Sequence, residues 1–259
     1  MTFSLQQVFR LGLLAVVASV LPAAEAGDIS IFRRYAALNA RIAQVGQAVA
    51  VRQFAEARRL LEPCLQKVPD HFEAHFLLAR MAYEDRDYAG ALAHVETSER
   101  SLADLDRRYR AEAADLKARD AAQVQAFRDD LSEMNARGSN DPGWCCEDLL
   151  LNKKNTIDSL EAKEGHLYER ENPFAVPADD RFLHGNCLYR LGRRAEALAQ
   201  YRLAVQVDPA HANAWNNLIA LLLETRDLPS ARAELTQAEA AHVAIQPGLR
   251  KAVLGISPR

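Results

Sequence analysis

Glycine and proline are scarce in this chain, 11 and 10 of 259 residues. Runs rich in β-branched and aromatic residues are missing as well, so strands and hairpins are not expected. Charge of one sign is lacking: 32 basic residues face 35 acidic ones, for a net charge of −3 and a pI of about 6.2. That balance excludes the basic footprint of a nucleic-acid binder. No apolar run is long enough for a permanent membrane helix. There is no Gly-rich phosphate loop, no nucleophile elbow, no Cys-x-x-Cys and no haem-attachment motif. Nothing therefore points to a catalyst, and no cofactor or metal is expected. What is present is 49% hydrophobic sequence at helical spacing, enough for one sizeable all-α unit.

The first 26 residues read as an export signal. Arg10 is the sole charge among the first ten residues, Leu11 to Leu21 is an unbroken apolar and small-residue run, and Ala24-Glu25-Ala26 supplies a cleavage site. Cleavage after Ala26 is expected, leaving Gly27 as the new N-terminus in a periplasmic or secreted protein. A retained anchor is the alternative.

A short pattern recurs. Residues 52–71 read RQFAEARRLLEPCLQKVPDH, and residues 192–211 read GRRAEALAQYRLAVQVDPAH. On a 34-residue frame starting at 178, Gly185, Ala197, Tyr201, Ala204 and Pro209 occupy positions 8, 20, 24, 27 and 32. The frame 38–71 gives Ala57, Leu61, Cys64 and Pro69 at positions 20, 24, 27 and 32, although Arg41 and Gln44 make its first helix poor. The frame 72–105 gives Leu78, Ala79, Ala91, Val95 and Ser98 at positions 7, 8, 20, 24 and 27. The frame 212–245 gives Trp215, Leu218, Ala231, Leu235 and Ala238 at positions 4, 7, 20, 24 and 27, with Ile219 at position 8. Small residues at 8, 20 and 27 let two antiparallel helices approach. Large apolar residues at 4, 7, 11 and 24 fill the space between them, and Pro at 32 ends the second helix. One such unit cannot bury its own apolar face, so neighbours must stack.

This pattern resembles the tetratricopeptide repeat. The resemblance implies an all-α helical solenoid with two tandem repeat pairs and a long central helix. The expected layout is a signal peptide over 1–26, an N-terminal helix with repeats 1 and 2 over 27–105, a long helix and helical linker over 106–177, repeats 3 and 4 over 178–245, and a capping segment over 246–259. Repeat 2 has Ala103 where the stop proline belongs, so its second helix should run on from Tyr88 to about Arg137. Asp104–Arg108, Asp106–Arg110 and Asp115–Arg119 support it at i,i+4 spacing. Its apolar stripe is broken at Asp120, which favours packing within the chain, with a homodimeric coiled-coil seam as the alternative. Residues 137–143 (RGSNDPG) read as a turn, 144–169 as one or two helices, and 247–254 as a cap. The interval 106–177 is also long enough for two degenerate repeats.

Three weaker constellations remain. His71 and His75 share a helical face, with His94 as a third candidate ligand, but the full ligand set for a metal is not visible. Cys145 and Cys146 are adjacent in the linker; in an oxidising compartment one of them could bridge Cys187, although connectivity is not deducible from sequence. Cys64, at a tight-packing position, reads as a small buried hydrophobe.

The resemblance also places a groove on the first helices of the repeats. Its lining would be Glu73, Phe76, Arg80, Tyr83 and Glu84 in repeat 2, Asp179, Phe182, Asn186, Tyr189 and Arg190 in repeat 3, and Asn213, Asn216, Ala220, Leu223 and Glu224 in repeat 4. In chaperone-binding members of the family, asparagines at the places of Asn186 and Asn217 help hold a partner's carboxylate. Here Phe182 stands where a lysine is needed, and only Arg250 or Lys251 in the cap could substitute for it. The reading is a non-catalytic adaptor of the cell envelope that binds a peptide or helix of an envelope protein. The alternatives are a self-assembling component and, behind it, a thiol- or metal-binding protein.

Overall fold

The computed structural model describes residues 30–140, 151–159 and 174–255. Among these residues there are helices and turns and no strand. The helices are α1 (Ser30–Ala50), α2 (Phe54–Lys67), α3 (Phe72–Glu84), α4 (Tyr88–Asn140), α5 (151–159), α6 (Ala178–Arg190), α7 (Arg194–Val207), α8 (Ala212–Glu224), α9 (Leu228–Ala240) and α10 (Pro247–Leu254). None of them is long and apolar enough to cross a membrane. The signal segment 1–26 lies outside the described residues.

The repeat frame matches the packing. The alanines at position 20, Ala57, Ala91, Ala197 and Ala231, are all fully buried. So are Cys64, Ser98, Ala204 and Ala238 at position 27. Leu61, Val95, Tyr201 and Leu235 at position 24 sit in the same cores. Repeat 1 differs in its first helix. Its buried stripe is Leu38, Ile42, Val45 and Val49, so α1 is rotated away from Arg41 and Gln44 and presents a normal apolar face.

Each first helix ends in the same way. Arg52, Arg86, Gly192 and Arg226 have positive φ of 62°, 63°, 79° and 62°. The next residue's N–H in each case reaches back to a carbonyl five residues earlier: Gln53 to Ala48, Asp87 to Ala82, Arg193 to Leu188 and Asp227 to Leu222. This is the Schellman turn, which satisfies carbonyls the helix leaves orphaned. Starts are handled locally too. His71 and His211 accept the N–H of Ala74 and Ala214 on Nδ1, Asp87 accepts that of Gly90, and Asp227 that of Ser230.

The described residues from Arg34 to Ala103 and from Ala175 onward form one compact unit, and the described residues up to Arg33 and between Asp104 and Phe174 form a second. In the first unit one continuous core runs from Ala79, Leu92 and Val95 through Leu183, Leu188 and Tyr201 to Trp215, Leu222, Leu235 and Val253. Repeats 2 and 3 therefore stack directly, although more than 70 residues separate them in sequence. Val253 of α10 is buried in that core.

In the second unit Val124, Ala113, Tyr109 and Ile157 are buried, and the Tyr109 ring meets Phe174 edge-on at 5.8 Å. Lys153 of α5 pairs with Asp130 and lies 5.5 Å over the Phe127 ring. Asp104–Arg108 and Asp106–Arg110 form at 2.8 and 2.9 Å. One expectation is corrected. α4 runs through 137–140, so the RGSN of the expected turn is helical. Arg137 begins no turn because nothing before Pro142 removes a backbone donor, and one glycine at a helix end costs only about 1 kcal/mol.

Candidate functional site

The first helices α3, α6 and α8 lie side by side in the first unit and carry the groove residues. Their side chains fall into two groups.

The first group is partly accessible. Phe76, Tyr83, Phe182 and Tyr189 are half-buried against the core and keep part of each ring exposed. Tyr83 meets Tyr88 edge-on at 5.3 Å, and Arg190 lies 5.6 Å over the Tyr88 ring while its Nε donates to the Tyr83 hydroxyl at 3.4 Å. The Tyr189 hydroxyl donates to Glu224 at 2.9 Å, and Arg194 donates to the other oxygen of that carboxylate. Asn213 is half-buried at the start of α8. Arg80 is the distinctive member. Its guanidinium is half-buried, which lowers its pKa, with Asp179 and Glu84 acting in the opposite sense. Among the described residues it makes no hydrogen bond or ion pair of its own. Glu84 pairs with Arg52, and Asp179 accepts from His211 Nε2 at 3.1 Å. Burial opposes protonation of His211, but its hydrogen bond and charge contact with Asp179 outweigh that and raise its pKa. Glu73, one helical face along from Phe76 and Arg80, is pushed up to about 7 by burial.

The second group is internal, which corrects the sequence reading. Asn186 is buried, and its Oδ1 accepts from the Tyr201 hydroxyl at 2.8 Å and from Asn217 Nδ2 at 2.9 Å. Asn216 is buried, donates to the Ala212 carbonyl at 2.7 Å and accepts the Gln246 N–H at 2.9 Å. These amides stitch repeat to repeat and hold the chain leading into α10; their polar atoms are matched inside the stack. A carboxylate clamp built on them is not present, and Arg250 is paired with Glu239.

The disulfide expectation is corrected in part. Cys187 is a free, fully buried thiol, its pKa pushed up to about 12 by burial. Its side chain is part of the apolar core of the first unit. Cys145 and Cys146 lie outside the described residues. Cys64 is free and buried, as expected. Among the described residues no group of three or more metal-ligating side chains forms, so His71 does not join His75 and His94 in one site.

One polar junction is not among the expected site residues. Where repeat 2 meets repeat 3, Ser98 donates to buried Asp180 at 2.8 Å. Beside it Glu99 accepts from Arg181 at 2.9 Å and lies 3.0 Å from His184 Nδ1. Burial pushes Asp180 up to about 7, with the Ser98 hydrogen bond pulling the other way. The signal was available: Arg181 and His184 occupy positions 4 and 7 of repeat 3, where large apolar residues are expected.

Against known proteins, the family model described as "Tetratricopeptide repeat" matches residues 43–105 and 182–246. No curated protein matches. Among solved structures, the chain is similar to YrrB, described as "a TPR protein with an unusual peptide-binding site", at 16% identity over 90% of this chain and 97% of that one, with a TM-score of 0.28. The helix pairs, the 34-residue register and the buried small residues at positions 20 and 27 fit an all-helical solenoid in which those two stretches match the tetratricopeptide repeat.

Proposed function

We propose that the protein is an exported, non-catalytic adaptor. It holds a peptide or helix of an envelope protein against α3, α6 and α8. The observation that carries this reading is the direct stacking of repeat 2 on repeat 3, which makes the two repeat pairs one continuous surface. On that surface Phe76, Tyr83, Phe182 and Tyr189 provide aromatic contact area, and Arg80 provides a guanidinium with no counter-ion hydrogen-bonded to it. Aromatics and arginine are the side chains that most often carry binding energy at interfaces. Export rests on the apolar run and cleavage site of residues 1–26 and predicts a mature protein starting at Gly27.

Affinity capture from envelope extract tests the reading, with the protein as one bait and an Arg80→Ala, Tyr189→Ala variant as the other. A partner retained by the first and lost by the second, at equal helicity by circular dichroism, is the expected result. Equal recovery by both baits moves the site elsewhere. The alternative, self-association, rests on α4, a single helix of 53 residues. A monomer by analytical ultracentrifugation removes it.

A further inference from the structure

His75 opens the search because its two ring nitrogens have different partners. Its Nε2 lies 2.9 Å from the Pro69 carbonyl oxygen, and its Nδ1 lies 3.1 Å from Nδ1 of His94. A carbonyl can only accept, so Nε2 carries the proton, and Nδ1 of the neutral ring presents a lone pair toward His94.

Repeat 4 shows what this position requires. There Trp215, at the same place in the frame, donates Nε1–H to the Pro209 carbonyl at 2.9 Å. The bond from position 4 to the carbonyl of the preceding proline is thus a structural element shared by repeats 2 and 4. Trp meets that requirement and has no second nitrogen. His meets it and has one left over, aimed at a second imidazole.

We propose that His75 and His94 form a two-imidazole site for a divalent transition metal, Zn²⁺ or Cu²⁺, clamping α3 to α4 within repeat 2. Metal-binding histidines characteristically donate their other N–H to a carbonyl or carboxylate, which fixes ring and tautomer, and His75 already does so. Bonds of about 2.0–2.1 Å place two imidazole nitrogens about 3.3 Å apart on a tetrahedral ion and about 2.8 Å apart at the corner of a square. The observed 3.1 Å falls between them. Both rings are half-buried, so solvent reaches them. Burial and the neighbouring His75 lower the pKa of His94, which favours the neutral imidazole that ligates, with Asp87 acting in the opposite sense. Binding moves the His94 proton from Nδ1 to Nε2 and releases none, since both rings coordinate as neutral imidazoles. Among the described residues no third protein ligand is in place, so water fills the remaining positions.

Calorimetric titration of the purified protein with ZnCl₂ tests the site. We expect one equivalent bound with a dissociation constant below about 0.1 mM. Binding should disappear in His94→Ala and in His75→Trp, which installs the residue repeat 4 uses at that position, and persist in His242→Ala. Zn²⁺ should raise the thermal midpoint of the parent protein and EDTA should reverse it. With Cu²⁺, electron paramagnetic resonance should show coupling to two nitrogens. His94→Gln replaces either variant should it lose helicity. Zn²⁺ binding that survives loss of His94, or no binding below about 0.1 mM, overturns the proposal.

Discussion

The Cβ that Gly185 lacks would lie 2.6 Å from Cε1 of Tyr201. The two residues sit at positions 8 and 24 of repeat 3, on opposite helices of the pair. Repeats 1 and 4 place Val45 with Leu61 and Ile219 with Leu235 at the same positions, so a larger residue at 8 goes with a smaller one at 24. Gly185→Ala should therefore destabilise the protein by about 1–3 kcal/mol through overpacking. Adding Tyr201→Leu should recover part of that loss, although the hydroxyl bond to Asn186 goes with it. Urea denaturation of both variants decides it; a double variant less stable than Gly185→Ala alone would sink the pairing.

Buried Asp180 sets a pH dependence. Its carboxyl holds its proton to about 7 in the folded state, against 3.8 for an ordinary aspartate. The native state thus binds more protons than the unfolded state between those values, and stability falls as pH rises through that window. Asp180→Asn removes this slope and should gain stability at pH 8, on the order of 2 kcal/mol. His71 acts in the opposite sense. Burial lowers it to about 4, so it withdraws stability as pH drops from 6.5 toward 4. The quantity to measure is the difference between parent and variant at pH 5 and pH 8, in which the His71 contribution cancels. A pH-independent difference refutes the assignment.

The Schellman turns predict a backbone effect of opposite sign at two equivalent positions. Arg86 is exposed and holds φ at 63°, whereas Gly192 has φ of 79° with nothing near its missing Cβ. A left-handed conformation costs a non-glycine residue about 1 kcal/mol. Gly192→Ala should lower the thermal midpoint and Arg86→Gly should raise it, by several degrees in each case. A rise for Gly192→Ala together with a fall for Arg86→Gly would show that unfolded-state entropy dominates at these turns.

Cys187 and Cys64 should resist alkylation in the folded protein and react in urea without added reductant. Burial raises both thiols' pKa values, and the reactive species is the thiolate. Peptide mass spectrometry after iodoacetamide treatment reads this directly. Cys187 that reacts in urea only after reduction would restore the bridge to the linker.

The repeat register was legible because positions 8, 20, 24 and 27 are set by local helix-pair geometry. Ala57, Ala91, Ala197 and Ala231 announce it without any long-range information. Tyr88 as the start of a long helix was equally local, since Ala103 stands where a proline would have ended it. The asparagines were misread for the opposite reason. Whether an amide faces a groove or a neighbouring hydroxyl depends on Tyr201 and Gln246, which lie 15 and 30 residues from Asn186 and Asn216.

By itself, then, the sequence determined the helix pairs, their 34-residue period, their caps and the small residues that let them touch, all products of interactions within a few turns of chain. Only the tertiary structure decided that repeat 2 stacks on repeat 3 across the intervening segment. That junction depends on Ser98, Glu99, Asp180, Arg181 and His184 meeting over a separation of 82 to 85 residues. No helical period encodes such a meeting, because it requires the apolar faces of two distant pairs to find each other and bury their polar edges in register.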